Sequence, residues 1–148
     1  MTVALSHGLL ALLLAGCAYA DDASLVVEPR SEAISPDGTL REPVGIETLG
    51  GVFTTLLEKG CELPCAVSQT FSTAEDGQGE ILIHLLRGET ALARSAHSLG
   101  TFKISGISPM PRGEPSILVE LEADQGGITL KATDRRGKSR LSIARVAP

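Results

Sequence analysis

The chain has 148 residues, a net charge of −5 and a hydrophobic fraction of 43%, yet only three Phe and one Tyr supply its aromatic side chains. That length gives material for one domain and leaves no room for a nucleotide-binding domain with a second lobe. The acidic balance disfavours nucleic acid as a partner, and the core must be aliphatic.

Residues 1–20 carry no Asp, Glu, Lys or Arg. Leu9 to Leu14 form an apolar run too short to span a bilayer, and they fit the hydrophobic region of a secretory signal. Leu14-Ala15-Gly16-Cys17 looks like a bacterial lipobox, in which the thiol of Cys17 takes a diacylglyceryl group. Two alternatives stay open. Ala18-Tyr19-Ala20 before Asp21 is an A-x-A site for ordinary signal peptidase, which would release a soluble periplasmic product. The first residues could also be a mis-started reading frame. The expected organisation is a signal peptide over 1–16, a polar tether over 17–43 and a folded domain over 44–148. The expected location is the bacterial envelope, lipid-anchored through Cys17 and facing the periplasm.

Residues 21–42 hold six acids against Arg30 and Arg41, punctuated by Pro29, Pro36 and Asp37-Gly38. That composition reads as a tether. From Val44 onward, short apolar runs alternate with turn signals. Val44–Leu49 stops at Gly50-Gly51, and Val52–Leu57 stops at Lys59-Gly60. Val67–Thr73 precedes Glu75-Asp76-Gly77, and Glu80–Leu86 stops at Arg87-Gly88. Leu99–Ile104 ends at Ser105-Gly106, before the Pro-rich stretch from Ser108 to Gly113. Ile117, Val119 and Leu121 then alternate with polar neighbours, as do Ile128, Leu130 and Ala132. Leu141 and Ile143 close the series. Period-2 alternation at this spacing predicts an all-β fold, an antiparallel β-sandwich of about eight strands. Ile81 to Leu86 is apolar on both faces and is expected to be a central, doubly covered strand. From Lys131 to Pro148 six basic residues face only Asp134. Such a tail could meet anionic lipid or nucleic acid, and its simpler reading is a solvated last strand and turn.

Catalytic chemistry has little to stand on. Glu75-Asp76 is the candidate carboxylate pair, but it lies in a predicted turn. His84 sits in an apolar strand and His97 has no obvious partner, so zinc would lack ligands beyond two cysteines. No G-x-S-x-G elbow or phosphate loop is present. Neither an enzyme, a metal nor a cofactor is expected. With Cys17 lipidated, Cys61 and Cys65 remain as a C-x3-C pair. An oxidising compartment allows them a local disulfide, and the alternative is two unpaired thiols in a turn.

Three segments carry a family likeness: Gly45 to Leu56 (GIETLGGVFTTL), Ser68 to Gln78 (SQTFSTAEDGQ), and Ser98 to Phe102 running on to Gly106–Gly113 (GISPMPRG). In order and separation they resemble the β-sandwich substrate-binding domain of the heat-shock protein 70 chaperones (DnaK type), over about Val44 to Val146. The resemblance implies a chaperone-like role, the binding of an extended apolar stretch of unfolded polypeptide. It implies that Ile46, Phe71, Ile81 and Ile83 line a central pocket, that Leu49 and Ala74 form an arch over the peptide, and that Thr48, Ser72 and Gln78 lie alongside it. Burying one Leu side chain in such a pocket would contribute roughly 1.5–3 kcal/mol before ordering costs. On periodicity alone, the same apolar residues would simply be sandwich core.

Departures from the family pattern shape the expectation further. The ATP-binding domain, the leucine-rich acidic linker and the helical lid have no counterpart in the sequence. Thr90 to Ala93 replaces a loop that is usually more basic, and the hairpin at Gln125-Gly126-Gly127 is one residue short. Ser108–Gly113 and Lys59 are where the family's sandwich meets its ATPase. The resemblance therefore implies ATP-independent binding of unfolded polypeptides, micromolar or weaker. The rival expectations are an envelope lipoprotein that kept the sandwich without the groove, and a truncated chaperone fragment.

Overall fold

The computed structural model describes residues 22–146. Nine strands make two antiparallel sheets: β1 (Ala23–Pro29), β2 (Val44–Thr48), β3 (Val52–Leu57), β4 (Cys65–Phe71), β5 (Glu80–Arg87), β6 (His97–Ser105), β7 (Ile117–Asp124), β8 (Gly127–Asp134) and β9 (Ser142–Val146). One sheet has the order β1-β8-β7-β4 and the other β3-β2-β5-β6-β9. A four-residue helix, α1 (Arg30–Ala33), follows β1, and a 3₁₀ turn covers Ala93–Ser95. The two sheets close over an aliphatic core. Alternate residues of β7 (Ile117, Val119, Leu121, Ala123) and of β8 (Ile128, Leu130, Ala132) point inward and are buried. Among the described residues, Phe102 is the one aromatic side chain with no exposure, and the Arg145 guanidinium lies 4.8 Å from its ring centroid.

Eight strands fall on the runs marked in the sequence, and β1 is an addition. The segment 17–43 was expected to be a tether. From Ala23 onward it is folded structure instead. β1 pairs along β8 from Ala23↔Ala132 to Pro29↔Gly127. Val27, Ala33, Ile34 and Leu40 are all buried in the main core. The physical reason is that β8 has a free edge, whose unpaired N–H and C=O groups a neighbouring extended segment can satisfy. Arg145 of β9 donates to the Val27 carbonyl at 3.0 Å and to that of Leu99, which ties the edges of the two sheets together.

A second expectation also changes. β5 is central in its sheet, but its outer face is covered only at Leu86, which packs with Phe53 and Ala93. Leu82 is 59% exposed and Glu80 is exposed, while Ile81, Ile83 and Leu85 face the core. An antiparallel sheet needs only one buried face, so an apolar outward residue such as Leu82 asks for its own explanation.

At the far end of β1 a charge cluster bridges the sheets. Glu28 is 5% exposed and pairs with Arg87 at 3.0 Å, and Arg87 also bonds Glu42. Burial pushes the Glu28 carboxyl above its ordinary value of 4.5, and the Arg87 charge only partly opposes this. The folded state then holds that proton more tightly than the unfolded chain. Stability from this group is therefore fullest at low pH and is lost as pH rises through the raised value. Urea titrations between pH 4.5 and pH 7 should show the wild-type midpoint falling relative to that of Glu28→Gln. A difference between the two proteins that stays flat with pH would refute the assignment.

Candidate functional site

The residues marked in the sequence gather at one end of the sandwich. Phe71 pairs with Ile117, Ile117 with Asp134, and Glu80 with Ser105, so the loops after β2, β4, β6 and β8 share that end. Two of these loops carry the exposed residues Leu49 and Ala74. The turn between β2 and β3 carries Leu49, which is fully exposed at 100%. Gly50 and Gly51 complete that turn with φ of 87° and 73°, a conformation that L side chains rarely adopt. The loop between β4 and β5 carries Ala74, also exposed.

Gln78 organises the second loop. Its Oε1 accepts from the Ala74 and Glu75 N–H groups at 2.9 and 3.2 Å, and its Nε2 donates to the Glu80 carbonyl at 2.7 Å. The amide holds the arch loop in shape. Ser72 donates to the Pro115 carbonyl at 2.5 Å, while the Thr48 hydroxyl shares a hydrogen bond with Thr54 Oγ1 at 2.8 Å. Ile46, Ile81 and Ile83 are buried in the core beneath, and Phe71 packs against that core partly buried. Ile46, Ile81 and Ile83, which the resemblance places along a pocket, are here part of the sandwich core.

Beside the arch lies an open cleft of about 530 Å³ lined by Ala74, Glu75, Gln78, Glu80 and Leu82. Leu82 is the residue that sequence reasoning missed, because its strand read as buried on both sides. The only signal available was its place opposite Ile81 and Ile83 in the period-2 pattern. His84, on the same outer face, has both ring nitrogens engaged. Nδ1 lies 2.5 Å from Glu47 Oε2 and Nε2 lies 2.8 Å from Ser98 Oγ, which fixes β2, β5 and β6 to each other outside the core. Glu75 and Asp76 occupy a turn, as expected. Asp76 Oδ1 accepts from the Arg112 N–H at 2.9 Å and so couples the arch loop to the Pro-rich stretch.

Cys61 and Cys65 are joined in a disulfide at the opposite end, between β3 and β4. The signal segment and Cys17 lie outside the described residues.

These features define a two-sheet antiparallel β-sandwich with Leu49 and Ala74 exposed on loops at one end. Residues 40–146 match the model of the Hsp70 protein family, and the chain belongs to that family. β1 and α1 precede the first matched residue and extend the sandwich beyond the matched part.

Proposed function

We propose that this domain binds extended, apolar segments of unfolded polypeptides in the channel beneath Leu49 and Ala74. The observation that carries the reading is Leu49: a fully exposed leucine held on a two-glycine turn, at the same end of the sandwich as the Ala74 loop and its open cleft. An extended peptide offers backbone groups that the two loops can bond, while the floor accepts an aliphatic side chain. Glu75 and Glu80 along the neighbouring cleft favour clients whose apolar core is flanked by Arg or Lys. The groove is built from the sandwich alone, so binding requires no nucleotide. The leader's apolar run and lipobox-like Leu14–Cys17 support an exported, membrane-held protein facing the periplasm.

The test is titration of a fluorescent heptapeptide rich in Leu and flanked by Arg. The wild type should saturate, and added ATP should leave the affinity unchanged. Leu49→Ser should weaken binding about tenfold, equivalent to about 1.4 kcal/mol, without altering stability, since an exposed side chain contributes little to the fold. Ile81→Asp should abolish binding. No saturable binding by the wild type, or an affinity indifferent to Leu49→Ser, would sink the reading. For the anchor, a palmitate analogue should label the wild type and leave Cys17→Ser unlabelled.

A further inference from the structure

The basic tail of the sequence is not used by the groove, and the fold gives it a definite place. Of its charges, Lys131 is held by Glu120 and Glu122 on the outer face of β8, and Arg145 is held against Phe102. Arg135, Arg136 and Lys138 stand exposed on the turn between β8 and β9. Asp134, the acid within this turn, is buried and accepts from the Arg136 and Lys138 N–H groups at 2.9 and 3.2 Å. It shapes the turn and leaves the cations outward.

The register of β1 brings the chain's entry point to the same place. Ala23 pairs with Ala132, so residue 22 enters the sandwich beside the basic turn. Cys17 precedes Asp22 by five residues, a reach of at most about 18 Å. The groove shares this end. Ser108 N–H bonds Ser139 Oγ at 2.9 Å, Ser108 Oγ donates to the Lys138 carbonyl, and Gly77 N–H donates to Met110 O at 2.9 Å. Basic turn, Pro-rich stretch and arch loop therefore form one hydrogen-bonded rim. The arch side carries the exposed acids Glu75, Asp76 and Glu80, the last facing Lys103 at 3.7 Å, while the intervening stretch carries Arg112 and Glu114 and the entry point Asp22.

We infer that Arg135, Arg136 and Lys138 dock the sandwich onto anionic phospholipid headgroups, with the groove held at the bilayer surface and its acidic arch tilted away from the lipid. The inference rests on the reading that a lipid on Cys17 holds the chain to a membrane, and it deepens the proposed function by assigning its clients to extended segments at that surface. Attraction at the basic turn and repulsion at Glu75, Asp76 and Glu80 act together to set the tilt. Both are short-ranged at physiological ionic strength, so only a short tether lets them orient the domain.

The chain contains no Trp, so a single one can report orientation. Glu114→Trp places it at the docking end, and Gln125→Trp places it at the opposite end, roughly 25 Å away along an eight-residue strand. The full chain is incorporated through its own N-terminal segment into vesicles bearing a dansyl headgroup lipid. In phosphatidylglycerol vesicles, energy transfer from the Glu114→Trp protein should be at least about twice that from Gln125→Trp. The difference should vanish in phosphatidylcholine vesicles, at 1 M salt, where the screening length falls to about 3 Å, and when Arg135, Arg136 and Lys138 are all changed to Glu. Equal transfer from the two probes, the same ordering in neutral lipid, or no transfer from either overturns the inference. The heptapeptide titrated on the same vesicles separates the two readings: oriented docking without peptide binding sinks the groove and leaves the docking surface standing.

Discussion

Phe102→Ala should cost the fold about 3–5 kcal/mol, the range for removing a large aromatic from a core that cannot collapse around the gap. The ring is fully buried on β6, opposite Ile83 in register, so the cavity would open beside Ile83 in the core. The loss would also strip Arg145 of the aromatic face it rests on, and with it weaken the link to Val27 in β1. In a domain whose whole stability is about 5–15 kcal/mol, this is a large share. Far-UV circular dichroism during urea denaturation should show a clearly lowered midpoint. Phe102→Leu, which keeps most of the volume, should cost under about 1.5 kcal/mol. A wild-type-like midpoint for the alanine variant would mean that Phe102 does not organise the core.

Gly45→Ala should be almost as damaging, for a different reason. A Cβ there would stand 2.0 Å from the Thr54 carbonyl oxygen, 2.8 Å from its carbon and 2.9 Å from Phe53 Cε2. The obstacle is the backbone of the paired strand β3, which has no rotamer to change. β2 and β3 would have to separate at the bulge between Val44 and Gly45, with a cost near the top of the overpacking range, about 3 kcal/mol. Because that pair carries the Leu49 turn, peptide binding should fall with stability. Gly38→Ala serves as the control. It meets nothing within 4 Å and bears only its φ of 81°, so its cost should stay near 1–2 kcal/mol. Equal midpoints for the two variants would refute the clash.

Most of the sandwich was legible because its strands obey a local rule. Ile117, Val119 and Leu121 alternate so cleanly that their inward face follows from two-residue periodicity alone. β1 broke the reading because nothing local marks it: Leu25, Val26 and Val27 are a brief apolar run inside an acidic, Pro-punctuated stretch. What makes it a strand is the free edge of β8, about a hundred residues later, and a single sequence does not display such an edge. Leu82 was misread from the opposite side. An apolar residue on an outward face is indistinguishable, by pattern, from one covered by a second layer. The loops that carry Leu49 and Ala74 were singled out by likeness of motif rather than by periodicity, since loops obey no period. The loop's internal bonding through Gln78 was beyond reach, because one amide serving three backbone groups is a matter of geometry alone.

The pairing of β1 with β8 has a mechanical meaning. Any pull that reaches the domain through residue 22 runs along the strand axis, so it loads the β1–β8 hydrogen bonds in shear. Bonds loaded this way share the force, whereas bonds peeled from one end fail in succession. The Glu28–Arg87 pair lies at the opposite end of the strand from residue 22. Such a load falls on the sheet that holds β1 and β8, whereas the Leu49 turn between β2 and β3 belongs to the other sheet.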